Sequence, residues 1–219
     1  MNLQHIKAVL FDLDGTLIDS EYFYYSNWAP IFSAEFGLEI SFSDWINEYA
    51  GHTLVRNVNY LKERHHIETT EEFMWKLTRA NYAKADMRSI SLMPFAKEIL
   101  DFLKEKGIRV GLVTSSYQTT VDAVLGNHGL LDYFEFFVTR ELVEHAKPNA
   151  EPYLLALDKL GLDKEEVMAV EDTITGATAA RNAGMFCVAI SKHPVEQNKL
   201  IGNADVLLEN LDELLVLLS

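Results

Sequence analysis

The stretch Ala8-Val9-Leu10-Phe11-Asp12-Leu13-Asp14-Gly15-Thr16 joins an apolar run to two closely spaced carboxylates and a glycine. An apolar run without polar alternation is typical of a strand that is buried on both faces, as in a parallel sheet. Similar short runs recur along the chain, each followed by polar residues. They are Val110-Gly111-Leu112-Val113, Phe136-Phe137-Val138, Val167-Met168-Ala169-Val170 and Phe186-Cys187-Val188-Ala189-Ile190. Because helical patterns lie between these runs, the sequence predicts an α/β fold with a doubly wound, Rossmann-like parallel sheet.

The gap between the first and second runs, roughly a hundred residues, is far longer than one crossover helix needs. Most of it has helical periodicity, and one apolar stripe of aromatic residues ends at Gly37. Pro30 lies inside that stripe and is expected to kink or split the helix. The core is expected to resume with a helix that has Pro94 at its first position. We therefore predict an α/β core formed by residues 1–16 and 91–219, with a small helical domain inserted at residues 17–90.

Composition and charge exclude several classes of protein. Hydrophobic residues make up 48% of the 219 residues and charged residues 24%, which are ordinary values for a globular chain. The formal net charge of -14 argues against a nucleic-acid or anionic-membrane binder, since such proteins need a basic surface. Neither a signal peptide nor a transmembrane run is expected, and the lone Cys187 excludes an internal disulfide. A cytoplasmic, monomeric protein is the expectation.

Polar residues that follow the apolar runs are expected to share one edge of the sheet, where doubly wound folds bind ligands. They are Asp12, Asp14, Gly15 and Thr16 after the first run, Thr114, Ser115 and Ser116 after the second, Lys147 in a later loop, and Glu171 and Asp172 after the fourth. Two carboxylates about 4 Å apart repel by roughly 4 kcal/mol at an effective dielectric near 20, so this cluster calls for a cation. Carboxylate oxygens suit Mg²⁺ or Ca²⁺, while hydroxyls, strand-end amides and a lysine suit phosphate. A carboxylate can also attack phosphorus, so the pattern predicts metal-assisted phosphoryl transfer.

In their order and spacing these motifs resemble the haloacid dehalogenase (HAD) superfamily, in the phosphoglycolate phosphatase and β-phosphoglucomutase-like branch with an inserted helical cap. The resemblance runs from about residue 6 to residue 210. It is carried by the segment 11–20, Val113-Thr114-Ser115-Ser116, Lys147-Pro148, and Val170-Glu171-Asp172-Thr173 with Gly176. The cap exit departs from the family pattern, because Pro94-Phe95 stands where Pro-Gly is commoner.

The resemblance implies a role for each site residue. Asp12 would attack phosphorus, and Asp14 would protonate the leaving oxygen and then activate water. Mg²⁺ would be held by the Asp12 carboxylate, the Asp14 backbone carbonyl and Asp172, with Glu171 nearby or ligating. The phosphate would be bound by Thr114 and the Ser115 amide, with Gly15, Thr16 and Ser116 beside it, and Lys147 would neutralise charge. The implied substrate is a small phosphorylated metabolite, such as a sugar phosphate.

The segment Gly51-His52-Thr53 is the cap element that the resemblance places over the active site. His52 and Arg56 are therefore candidates for contact with the leaving group. The alternative is that both residues belong to ordinary cap surface.

A Mg²⁺-dependent phosphatase is the leading hypothesis, and the family offers three alternatives to it. A β-phosphoglucomutase-like mutase typically has arginine three residues after the cap glycine, whereas Arg56 stands five after Gly51. Asp14 argues against a dehalogenase, and the lack of lysine in residues 52–61 argues against a phosphonate hydrolase. From another class, a non-catalytic binder of phosphometabolites would not need the nucleophile Asp12.

Overall fold

The computed structural model describes residues 3–50, 52–192 and 194–219. The chain forms two compact units. The first combines the N-terminal segment up to Asp19 with Ser91–Ser219, and the second is Ser20–Ile90.

Strands and helices alternate along the first unit, whereas the second unit is helical. The strands are β1 (Ala8–Phe11), β2 (Ile18–Asp19), β3 (Ser91–Leu92), β4 (Arg109–Val113), β5 (Phe136–Val138), β6 (Val167–Glu171), β7 (Phe186–Ile190) and β8 (Val206–Leu208). The α-helices are α1 (Glu21–Phe36), α2 (Phe42–Glu48), α3 (Leu54–His65), α4 (Glu71–Tyr82), α5 (Ala96–Glu105), α6 (Gln118–Asn127), α7 (Glu151–Leu160), α8 (Ile174–Asn182), α9 (Pro194–Leu200) and α10 (Leu211–Leu217).

The main sheet is parallel, and its strands lie in the order β5-β4-β1-β6-β7-β8. The chain moves outward from β1 through β4 to β5, crosses back to β6, and moves outward again to β8. Strands β1 and β6 are therefore neighbours whose connections leave in opposite directions, which is the switch point where such sheets bind ligands. The predicted doubly wound α/β core is confirmed.

The register of β1 aligns the carboxyl ends of the three central strands. Phe11, the last residue of β1, is opposite Leu112 in β4 and Val170 in β6. All four residues of β1 are fully buried, so the chain first meets polar surroundings at Asp12. This register brings the polar residues after β1, β4 and β6 to one edge.

A short antiparallel pair lies where the second unit is inserted into the first. Ile18 of β2 is opposite Leu92 of β3, and the amide of Met93 donates to the carbonyl of Leu17 at 2.9 Å. The segments entering and leaving the insertion are thus hydrogen-bonded to each other within the first unit.

Helices α1–α4 of the second unit share an aromatic-rich core, whose buried members include Trp28, Phe32, Trp45 and Tyr49. The split expected at Pro30 is wrong, because α1 is continuous from Glu21 to Phe36. Buried residues on both sides of the proline pack into the core and offset the backbone hydrogen bond that proline removes. The helix ends as expected, at Gly37 with φ 63°.

The start of α5 also differs from the expectation. The helix begins at Ala96 rather than at Pro94, because Phe95 between them adopts a left-handed conformation with φ 67°. A non-glycine residue in this conformation is strained, and it stands where the family more often has glycine.

Candidate active site

Two strand ends and one loop supply the charged residues of the candidate site, all within the first unit. Asp12 directly follows β1, and its amide donates to the carbonyl of Val170 at 3.0 Å. Glu171 is the last residue of β6, and Asp172 comes next. Lys147 lies in the loop that precedes α7. The structure therefore brings together side chains that are far apart in sequence, as the strand pattern predicted.

Lys147 is the centre of this cluster. Its Nζ atom donates to Oδ1 of Asp12 at 2.6 Å, to Oε1 of Glu171 at 2.6 Å and to the carbonyl of Val113 at 2.7 Å. Burial alone would lower the pKa of Lys147, but the charges of Asp12 and Glu171 outweigh burial and raise that pKa. The ammonium group is thus held charged against the candidate nucleophile, with each of its three protons directed to an acceptor.

Asp12 is only 8% exposed, and its carboxyl group is correspondingly hard to ionise. Burial raises the pKa of Asp12 to about 8, with Glu171 and Asp14 adding to the rise and Lys147 opposing it. A divalent cation beside a carboxylate favours the ionised form and lowers its pKa. Positive charge at the site therefore favours the ionised form of Asp12, which is the form that can act as a nucleophile.

The carboxylates of Asp12, Glu171 and Asp172 form a group that could hold a metal ion. One oxygen from each lies within 4.8 Å of the others. An all-oxygen set of this kind fits a hard cation such as Mg²⁺. These three acids are three of the four residues that the resemblance implies for the metal, which are Asp12, Asp14, Glu171 and Asp172. The carboxylate of Asp14 is not part of this group.

Two glycines make room for these acids. A Cβ atom on Gly15 would lie 2.1 Å from Oδ2 of Asp172, and one on Gly176 would lie 1.9 Å from Oε2 of Glu171. Gly15 also has φ 77°, which favours glycine. Gly15 thus admits the Asp172 carboxylate to the loop after β1, and Gly176 admits Glu171 to the first turn of α8.

The hydroxyl residues near the strand ends have distinct environments. The Ser116 hydroxyl donates to Oδ2 of Asp14 at 2.6 Å, and the Ser116 amide donates to Oγ1 of Thr114 at 3.0 Å. Ser115 is exposed beside Thr114, which is buried. Thr16 is 1% exposed, and its hydroxyl has no hydrogen-bond partner among the residues that the structure describes. The Ser116 hydroxyl, expected near the phosphate, is thus directed at the candidate acid.

Tyr153 is a site residue that the sequence reasoning missed. It is fully buried, and its hydroxyl donates to Oε1 of Glu171 at 2.5 Å. The spacing of Tyr153, Leu157 and Leu160 predicts that all three lie on the apolar face of one helix, and this predicts that Tyr153 packs in the core. Only its hydroxyl, at a position six residues after Lys147, was a signal of a polar partner.

The candidate cap residues lie in the second unit. Arg56 donates to the carbonyl of Glu48 and to Oδ1 of Asn57, and its guanidinium carbon lies 4.5 Å from the ring centroid of Tyr60. These contacts orient the Arg56 side chain within that unit. His52 is half-buried, and Gly51 lies outside the described residues.

Within the ranges 3–50, 52–192 and 194–219, no helix has the length and apolar character needed to span a bilayer.

Comparisons with known proteins identify the family of the chain. The family model of the haloacid dehalogenase-like hydrolases matches residues 9–190. The protein YhcW of Bacillus subtilis is 36% identical over 185 residues, which are 84% of this chain and 83% of YhcW. The phosphorylated carbohydrates phosphatase of Thermotoga maritima is 28% identical over 196 residues, with 90% of each chain covered.

A solved structure is also similar in fold. The HAD family hydrolase from Deinococcus radiodurans R1, with bound phosphate and sodium, has a TM-score of 0.80 at 25% identity. The match covers 95% of this chain and 93% of that one. The resemblance stated from the motifs is confirmed, and the chain belongs to the haloacid dehalogenase-like hydrolases.

Proposed function

We propose that this enzyme is a Mg²⁺-dependent phosphatase that hydrolyses small phosphate monoesters, of the sugar phosphate class, through an aspartyl phosphate. The observation that carries the proposal is the contact of Lys147 with Asp12, since it sets a buried cation against a carboxylate at the switch point of the sheet. The phosphate bound by the relative from Deinococcus radiodurans and the name of the relative from Thermotoga maritima support the substrate class.

The first half of the reaction is transfer of the phosphoryl group to the enzyme. An oxygen of Asp12 attacks phosphorus, and the bond between phosphorus and the ester oxygen breaks. Asp14 gives its proton to that ester oxygen, which leaves as an alcohol. Lys147 stays beside Asp12 and offsets negative charge on the transferring group.

The second half restores the enzyme. Asp14, now ionised, takes a proton from a water molecule, and the oxygen of that water attacks the phosphorus of the aspartyl phosphate. The bond from phosphorus to Asp12 breaks, which releases inorganic phosphate and the free carboxylate. Asp12, Asp172 and the backbone carbonyl of Asp14 would hold Mg²⁺, which supplies positive charge that stabilises the phosphoryl oxygens.

The second unit is proposed as the cap that selects the leaving group, with His52 and Arg56 as candidate contacts. This assignment comes from the family resemblance. Substitutions at either residue are expected to change the preference among substrates more than the turnover of a small aryl phosphate.

A phosphate-release screen tests the proposal directly. The purified chain is assayed against a panel of sugar phosphates and other monoesters with Mg²⁺, with Ca²⁺ and with a chelator. Asp12→Asn is expected to abolish turnover, while Asp158→Asn, an exposed acid on α7, serves as the matched control. Turnover of wild type without Mg²⁺, or substantial Mg²⁺-dependent turnover by Asp12→Asn, would contradict the proposal.

Two further readouts separate the alternatives. Mass spectrometry after acid quenching should detect one phosphoryl group on the peptide that contains Asp12, which a non-catalytic binder would lack. Product analysis with and without a sugar bisphosphate distinguishes hydrolysis from isomerisation. An isomerised sugar phosphate without net phosphate release would indicate a mutase instead.

A further inference from the structure

The ring of Tyr153 packs in the apolar core, whereas its hydroxyl lies within the cluster of charged side chains. Oε1 of Glu171 accepts hydrogen bonds from both the Tyr153 hydroxyl, at 2.5 Å, and Nζ of Lys147, at 2.6 Å. Nζ of Lys147 also lies 5.2 Å from the centroid of the Tyr153 ring, within the range of a cation–π interaction. Tyr153 therefore contacts both members of the Lys147–Glu171 ion pair.

Glu171 has little freedom to turn. It is 1% exposed, and both of its carboxylate oxygens lie against the first turn of α8, since a Cβ atom on Gly176 would be 1.9 Å from Oε2 and 2.3 Å from Oε1. Oε1 is the oxygen that receives both donors. The hydrogen bond from the Tyr153 hydroxyl thus helps to fix the orientation in which the Glu171 carboxylate faces Lys147.

The direction of the Lys147 ammonium group depends in turn on Glu171. An ammonium group has three protons, and Lys147 directs them to Asp12, to the carbonyl of Val113 and to Glu171. If Glu171 turns, the ammonium group loses one of three directional acceptors and can move away from Asp12. The hydroxyl of Tyr153 is therefore linked to the candidate nucleophile through two residues, Glu171 and Lys147.

We propose that Tyr153 is a positioning residue, which keeps Glu171 turned toward Lys147 and thereby holds the Lys147 ammonium group on Asp12. This inference rests on the proposed function for its kinetic consequence, but not for its structural one. In this proposal Glu171 acts mainly as the hydrogen-bond acceptor of Lys147 and only secondarily as a metal ligand. Loss of the Tyr153 hydroxyl therefore impairs turnover without weakening the metal site.

Tyr153→Phe tests the proposal, since it removes the hydroxyl and keeps the ring. Tyr133→Phe is the matched control, because its hydroxyl also donates to a carboxylate at 2.5 Å, that of Asp101, outside the site. We expect kcat of Tyr153→Phe to fall about tenfold, while the Mg²⁺ dissociation constant from calorimetry stays within about threefold of wild type. Tyr133→Phe should change neither quantity.

A labelling experiment reports whether the Lys147 ammonium group is held in place, and it does not depend on turnover. An amine-reactive reagent is applied briefly, and modification of Lys147 is measured by peptide mass spectrometry. Lys147 is 5% exposed with three acceptors, so slow labelling is expected in wild type and in Tyr133→Phe. Tyr153→Phe should label Lys147 several-fold faster.

A double-mutant cycle shows whether Tyr153 acts through Glu171. In the Glu171→Gln background, Tyr153→Phe should cause little further loss of kcat, since the ion pair is already removed. Glu171→Gln alone should also label faster at Lys147, which keeps the test informative if Tyr153→Phe folds poorly.

The outcomes separate this inference from the proposed function. Wild-type turnover with no change in kcat or labelling in Tyr153→Phe would overturn the inference alone. A parallel loss of kcat and Mg²⁺ affinity would show a structural role and also overturn it. Faster labelling in a chain that hydrolyses no phosphate monoester would support the positioning role and overturn the proposed function.

Discussion

The hydroxyl of Ser116 donates a 2.6 Å hydrogen bond to Oδ2 of Asp14, although 102 positions separate the two residues. Ser116 lies beyond the end of β4, and Asp14 lies in the loop after β1. The parallel register of these strands brings the two loops together. This contact orients the carboxyl group that the proposed mechanism uses as acid and then as base.

Ser116→Ala should therefore impair substrates according to their leaving groups. An alkyl phosphate needs a proton on its leaving oxygen, so kcat/KM should fall about tenfold or more, within the usual contribution of a general acid. p-Nitrophenyl phosphate has a leaving group that departs without a proton, and its kcat/KM should change less than about threefold. Steady-state assays of both substrates provide the measurement, and an equal fall for both would contradict an orienting role.

Asp12→Asn should stabilise the fold increasingly as the pH rises. Burial raises the pKa of Asp12 from 3.8 to about 8 against the opposing charge of Lys147, so as the pH rises the native carboxyl group releases its proton later than the unfolded one does. Wild-type stability therefore falls as the pH rises through this window, whereas asparagine does not titrate. Denaturant unfolding in chelator, at about pH 5 and about pH 8, should show a larger advantage for Asp12→Asn at the higher pH. If the stability advantage of Asp12→Asn over wild type stayed constant or shrank at the higher pH, the pKa of Asp12 would not be raised.

Gly176→Ala should cost both stability and activity. The added methyl group would lie 1.9 Å from the buried carboxylate of Glu171, which Lys147 and Tyr153 hold in place. Such overpacking typically costs about 1–3 kcal/mol of unfolding free energy.

Gly126→Ala in α6 is the control for that substitution. The nearest atom to its new methyl group is 3.5 Å away, which is ordinary contact. The higher helix propensity of alanine should raise stability by roughly 0.5–1 kcal/mol. Urea unfolding of both variants tests the contrast, and equal effects would mean that the crowding at Glu171 is relieved easily.

Phe95→Gly should be more stable than Phe95→Ala. Phe95 has φ 67° and is 42% exposed, so its side chain contributes limited packing while its backbone is strained. Both substitutions remove the aromatic ring, and glycine alone removes the strain, which is roughly 1–2 kcal/mol for a residue with a side chain. Glycine also gains entropy in the unfolded state, so the expected net advantage is about 1 kcal/mol. Denaturant midpoints measure this difference in stability. If Phe95→Ala were more stable than Phe95→Gly, the backbone of Phe95 would not be strained.

Local patterns explain why so much of the fold was predictable. Buried runs such as Ala8–Phe11 and Val167–Val170 can be recognised by their unbroken apolar composition, because a strand between two helical layers has no polar face. The acids that follow them, Asp12 and Glu171, could be assigned to one edge because parallel strands align their carboxyl ends. The expected split at Pro30 and the expected helix start at Pro94 are wrong, since the packing of α1 and the left-handed Phe95 are tertiary effects.

The sheet, the edge that carries the site and the charged residues that meet there can all be inferred from the order of residues along the chain. The tertiary structure adds the contacts: how the Glu171 carboxylate is turned toward Lys147, which hydroxyl donates to Asp14, and which glycine leaves room for each acid. Hydrophobic periodicity reports whether a side chain points inward, and so it assigned Tyr153 to the core. It carries no information on which atoms meet at the end of an inward-pointing side chain, because strand register and helix rotation set those distances.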